Sequence, residues 1–169
     1  TLGSNATGFI GIKIYDNWRI TTSLTTTSTS VNIKDNLERN DTANAGLIGS
    51  AMSVNSDGIW TFPMTGIYMI GFNAQLHVSS FLQYIRLDLD SIISGATTNL
   101  SQSFTYINRV NSVDTYASTY QEVAFDVVDT STHKIAFKYH SSAGGTTPSL
   151  WGSTTYNGTN FTFMRMGDT

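Results

Sequence analysis

The chain has 169 residues, no cysteine, only 12% charged residues and a formal net charge of −3. Disulfides, thiolate nucleophiles and sulfur-ligated zinc are therefore excluded, and there is too little basic charge for attraction to nucleic acid or an anionic membrane. The length suits a single domain over 1–169 with a sizeable core, and no apolar run approaches the roughly 20 residues of a membrane span, so no membrane insertion is expected.

Apolar positions alternate with period two in segments rich in Val, Ile, Thr, Phe and Tyr, and no window carries a helical period. The pattern predicts strands at Phe9 to Tyr15, Trp18 to Thr22, Ser30 to Ile33, Leu47 to Val54, Ile59 to Phe62, Ile67 to Val78, Phe81 to Leu89, Gln102 to Val110, Ala117 to Val128, Lys134 to His140 and Phe161 to Met166. Short strands at this spacing argue for an all-β antiparallel sandwich or barrel. The tract Thr21 to Ser30 reads as a linker, an edge strand or a loop, and Thr1 in place of an initiating Met reads as a processed or excised segment.

Gly58 to Phe72 joins two alternating runs through Pro63-Met-Thr-Gly66. Proline cannot donate to a ladder and glycine tolerates positive φ, so a tight turn is expected between Phe62 and Ile67. In the strand that follows, Tyr68, Ile70 and Phe72 share the core side, while Ile67 and Met69 lie on the other. The closing strand repeats this, with Phe161 and Phe163 on one side and Thr162, Met164 and Met166 on the other. A sheet apolar on both faces must be covered twice.

Catalytic chemistry leaves little trace. His77, His133 and His140 stand apart, with no metal-binding spacing, and neither a nucleophile elbow nor a phosphate-cradling glycine loop is present. Asp88 and Asp90 fall on one face of a strand, a pattern compatible with a glycosidase pair or calcium but more simply a solvated polar face, as is also so for Asp126 and Asp129 near a turn. No catalytic residue, metal or cofactor is expected, and a glycan-processing enzyme is the weakest reading.

Residues Ser141 to Gly158, with Gly144-Gly145, Pro148 and Asn157-Gly158, read as the longest loop. Of the aromatics beside polar segments (Trp18, Tyr106, Tyr116, Trp151 and Tyr156), Trp151 and Tyr156 in this loop are the sharpest receptor-binding candidates, because flat rings among neutral hydrogen-bonding residues suit protein or saccharide recognition.

The order Gly, aromatic, Pro, then Gly-x-Tyr and an apolar strand across Asp57 to Val78, together with the aromatic strand Thr159 to Thr169, resembles the C1q/TNF-like jelly-roll head. That resemblance implies a jelly-roll sandwich, a homotrimer whose second cover is the neighbouring subunit, and Met69, Met164 and Met166 near the three-fold axis. Three stretches, Leu37-Glu-Arg-Asn-Asp-Thr42, Asp126-Val-Val-Asp-Thr-Ser-Thr-His-Lys134 and the terminal Phe-Met-Arg-Met-Gly-Asp-Thr, are similar to structural proteins of phages, notably marine cyanophages. This second resemblance implies a virion protein. It would be a fibre head that adheres to a host cell-surface receptor or glycan, or alternatively a decoration protein on the capsid lattice.

Overall fold

A computed structural model describes residues 11–25, 29–78, 84–106, 115–142 and 148–169. In chain order its strands are β1 (Tyr15–Ile20), β2 (Leu24–Thr25), β3 (Val31–Asn32), β4 (Leu37–Arg39), β5 (Leu47–Ile48), β6 (Ser53–Val54), β7 (Ile59–Thr61), β8 (Gly66–Val78), β9 (Ile85–Ile93), β10 (Ala96–Thr105), β11 (Thr115–Val127), β12 (His133–Ser141), β13 (Ser149–Leu150) and β14 (Asn160–Gly167). A short 3₁₀ turn covers Thr42–Asn44. Every pairing is antiparallel, and the strands form two sheets.

The eight-stranded sheet is built on β8, which pairs along its whole length with β11 on one edge. Its other edge takes β14 and then β13; β14 in turn carries β1, and β1 carries β4 and β5. The six-stranded sheet runs β10-β9-β12-β7-β6, with β3 also on β12. The chain crosses between sheets from β8 to β9, from β10 to β11 and from β11 to β12, so the architecture is an all-β antiparallel sandwich of the jelly-roll kind.

The alternation of β8 and β14 lies as the sequence demands. Tyr68, Ile70, Phe72, Phe161 and Phe163 are fully buried between the sheets. Trp60 meets Phe163 at 5.0 Å and Phe161 at 5.8 Å between ring centroids, and Phe137 closes on Phe161 at 4.6 Å. Aromatic contacts of this tilted and edge-on kind add to the large area such rings bury. The Pro63–Gly66 turn also forms: Tyr68 Oη donates to the Met64 carbonyl at 2.9 Å, and Gly66 has φ +140°.

Several predicted boundaries move. The segments Phe9 to Tyr15 and Trp18 to Thr22 are joined by one strand, Tyr15–Ile20, because Asp16 and Asn17 are held inside the fold rather than turning to water; the portion before Gly11 lies outside the described residues. Leu47 to Val54 is not one strand. Gly49, at φ +73°, breaks it into β5 and β6, which belong to different sheets. Ser94 and Gly95, both at positive φ, make a two-residue hairpin turn that lengthens β9 and starts β10 six residues earlier than expected. Phe81 to Gln83 and Ile107 to Val110 fall outside the described residues.

Asp129 closes the β11–β12 turn, accepting from the backbone N–H and the hydroxyl of Ser131 at 2.8 and 2.7 Å. Those donors hold its carboxyl below the usual range, so its role at the turn is local. The tract Thr21 to Ser30 supplies the short edge strand β2, with residues 26–28 outside the described set.

Candidate functional site

Odd-numbered residues of β8 and even-numbered residues of β11 and β14 point away from the core and make the outer face of the eight-stranded sheet. Met69 on β8 stands directly opposite Met164 on β14 and Ala124 on β11. Met164 in turn faces Tyr15 on β1, which faces Ile48 on β5. One register level therefore carries an apolar row across five strands. Ile67 and Ile48 are exposed beside it, and Met166 is 60% exposed. Met164 and Met166 also line a groove of about 440 Å³ with Ile12, Lys13 and Asp168. The structure thus brings Met69 and Met164 into register and sets Met166 next to them.

Further along the same face the chemistry becomes aromatic. Tyr120 lies over Gly71, where an added Cβ would sit 3.1 Å from its hydroxyl oxygen. Its Oη donates to Glu122 Oε2 at 2.6 Å, and the neighbouring carboxylate, with some burial, pushes the phenol up to about 12. At the far end Tyr116, His77 and Trp151 cluster, with ring centroids 5.1 to 5.8 Å apart.

Trp151 and Tyr156 are joined by a 2.6 Å hydrogen bond from the indole Nε1 to the phenol oxygen, and Tyr156 is 50% exposed. Their setting corrects the expected long loop. Ser141 ends β12, and Ser149–Leu150 is a strand between β2 and β8. The Trp151 backbone is fastened too, donating to the Gln75 carbonyl at 2.8 Å and accepting from Thr159 at 3.1 Å. Trp151 is consequently half-buried at the edge of the sheet, while the loop proper is 152–159. Gly144 and Gly145 lie outside the described residues.

The two ends of this face differ in what lies near them. The descending chain at Gly167 and the ascending chain before Tyr15 meet at the methionine end, since Arg165 N donates to the Ile14 carbonyl and Gly167 pairs with Ile67. The Trp151 cluster lies at the other end of β8, roughly 30 Å away for an extended strand.

Beside the methionine row, the β1 edge is closed by charge. Arg19 is fully buried, donating to Glu38 at 2.9 Å, Asp41 at 2.7 Å, Thr42 at 2.9 Å and Asn40 at 3.3 Å. Arg39 donates to Asp16 at 2.8 Å and lies 4.5 Å above the Trp18 ring. The stretch Leu37-Glu-Arg-Asn-Asp-Thr42 is therefore a clamp on β1.

The solvated polar face expected of Asp88 and Asp90 is not found. They are 3% and 5% exposed on the outer face of the six-stranded sheet, because long side chains from the flanking strands cover them. Asp88 accepts from Arg86 Nε at 3.0 Å and Gln102 Nε2 at 2.6 Å; Asp90 accepts from Asn99 at 2.8 Å and pairs with Lys138 at 2.5 Å. Each carboxylate is committed to its own cation, unlike an acid and base flanking one scissile bond. Among the described residues no group of three or more His, Asp or Glu is placed to hold a metal ion. The three histidines are on β8 and at opposite ends of β12.

Tyr15, Ile48, Tyr116 and Tyr120 also belong to the outer face, beyond the residues that the sequence singles out. The alternation of β11 carried the signal for two of them, since burying Phe125 and Val127 turns Tyr116, Tyr120 and Glu122 outward.

No family model matches the chain, and none of the curated proteins does. Solved structures match over nearly its whole length. An Eiger TNF from S. frugiperda superposes with a TM-score of 0.65 at 12% identity, covering 94% of this chain and 96% of that one. Murine APRIL at pH 5.0 gives 0.63 at 12% identity, covering 90% and 98%, and murine APRIL at pH 8.5 gives 0.60 at 13%, with the same coverage. At such identities the likeness is one of architecture, and the chain has the TNF-like jelly-roll fold.

Proposed function

We propose that this chain is a non-enzymatic, trimeric head domain of a virion fibre that adheres to a host cell surface. The observation that carries the reading is the outer face of the eight-stranded sheet, apolar around Met69 and Met164 and aromatic around Trp151. A methionine row of this kind is stabilised by a second cover, and the resemblance to C1q/TNF-like heads supports three copies around an axis near Met69, Met164 and Met166. Recognition then falls to the other end of β8, away from the methionine row, where Tyr156 is exposed and Trp151 is fixed by the sheet edge. Rigid placement of an aromatic lowers the entropy cost of contact.

The similarity of Leu37 to Thr42, Asp126 to Lys134 and the closing segment to phage structural proteins supports a virion location. Light scattering tests assembly, with three times the 18.5 kDa chain mass expected and a monomer mass overturning it. Changing Trp151 and Tyr156 together to Ala should abolish binding to host cells while leaving the mass unchanged and the domain folded, with a melting temperature lowered by the lost Trp151 packing. Binding to capsids, with none to host cells, would replace adhesion by capsid decoration.

A further inference from the structure

We propose that the outer face of the six-stranded sheet carries a second binding site, for an uncharged pyranose sugar, formed by Phe104, Tyr106, Arg86 and Gln102. It is separate from the Trp151 site and does not depend on it. Phe104 and Tyr106 are 47% and 73% exposed, a large aromatic area for one strand end. Both rings lean on Tyr84, at 5.5 and 6.2 Å between centroids, and Tyr84 stacks on His140 at 5.9 Å. The exposed rings are therefore backed by others rather than loose.

Next to them the register sets polar groups in line. Phe104 pairs with Arg86, and Arg86 with His140; one step along, Gln102 pairs with Asp88. Phe104 and Gln102 share a face two residues apart, roughly 7 Å along the strand, about the width of one pyranose ring. Asp88 is buried beneath them and accepts from both Arg86 and Gln102, fixing the guanidinium plane and the amide plane against the sheet. The Gln102 amide oxygen and the outer edge of the guanidinium remain to accept from and donate to vicinal hydroxyls. Flat polar groups held in advance beside an aromatic face bind a polyol without first ordering it themselves.

Charge selects the ligand class. Arg86 is neutralised by Asp88 at 3.0 Å, and Lys138 by Asp90 at 2.5 Å, so the charged groups beside Phe104 and Gln102 are already paired and offer little to an acidic or basic peptide. It also belongs to the sheet opposite the methionine face, so covering that face by other copies leaves it open.

Saturation-transfer NMR on the intact chain, with the methyl glycosides of glucose, galactose and mannose as probes, tests the site. Transfer to at least one glycoside is expected. Phe104→Ala with Tyr106→Ala should weaken it about tenfold, as should Gln102→Leu, which leaves the rings in place. Trp151→Ala with Tyr156→Ala should leave it unchanged even while host adhesion is lost, separating failure of this site from failure of the adhesion reading. Absence of transfer to all three glycosides, or undiminished transfer in either the ring or the Gln102 variant, overturns the proposal.

Discussion

The outer face of the eight-stranded sheet sets Met69, Met164, Ile67 and Ile48 close together, with Asp126 at the margin opposite Ile67. The outer face of the six-stranded sheet, on the same sandwich, buries two carboxylates under Arg86, Gln102, Asn99 and Lys138. On the second face each carboxylate finds its partners within the chain. The first leaves apolar surface uncompensated, and alternation along β8 forces the issue, because the residues that would relieve it sit opposite the core positions of the same strand. What separates the faces is whether the chain itself supplies the cover.

Substitutions test this contrast from each side. The largest effect is expected from Met69→Lys, which would bring unpaired ammonium groups together in the proposed trimer; if that assembly forms, the light-scattering mass should fall from trimer to monomer with the fold retained. Next comes Arg86→Met on the other face. It leaves Asp88 buried with the Gln102 amide alone, at a cost of about 1–3 kcal/mol in denaturant unfolding, with no change in oligomer mass. A mass change there would mean that the two faces are not independent.

Gly66→Val tests the turn feeding both faces of β8. At φ +140° a Cβ would fall 2.4 Å from Arg165 Nε and 2.5 Å from the Gly167 carbonyl oxygen, so a loss of about 1–3 kcal/mol is expected. An unchanged melting temperature would contradict this geometry. The smallest effect is spectroscopic. Tyr120 is pushed up to about 12 by Glu122, so the hydrogen-bonded phenol favours the folded state below the ordinary tyrosine range, and this contribution is lost as pH rises from about 10 through about 12. In Glu122→Gln, ultraviolet titration should show the Tyr120 phenolate, identified by difference from Tyr120→Phe, appearing nearer 10.

Much of the sandwich was legible because its long strands alternate cleanly. Tyr68 to Phe72 and Phe161 to Met166 could be assigned to faces from period alone, as could the turn from Pro63 and Gly66. What escaped were features made by contact rather than pattern. Asp16 and Asn17 look like a turn until Arg39 and the Met52 amide satisfy the carboxylate from 23 and 36 residues away. Ser149–Leu150 is too short for a period and becomes a strand only because His77 and Leu76 lie alongside. Asp88 and Asp90 signalled a wet face, and their burial depends on partners contributed by β10 and β12. Trp151 and Tyr156 were found by composition, but the bond between them and the half-burial of the indole were not.

The pairing of β1 with β14, in which Asn17 donates to the Phe161 carbonyl across 144 positions of sequence, also bears on how the molecule is made. While a ribosome is still adding residues, Tyr15 to Ile20 has no partner along the edge that β14 will occupy, and neither has the Ile67 to Asn73 part of β8. Both edges stay open until Asn160 to Gly167 has emerged, so folding in the cell should complete late and in one step, with nascent strand edges in need of chaperone shielding until then.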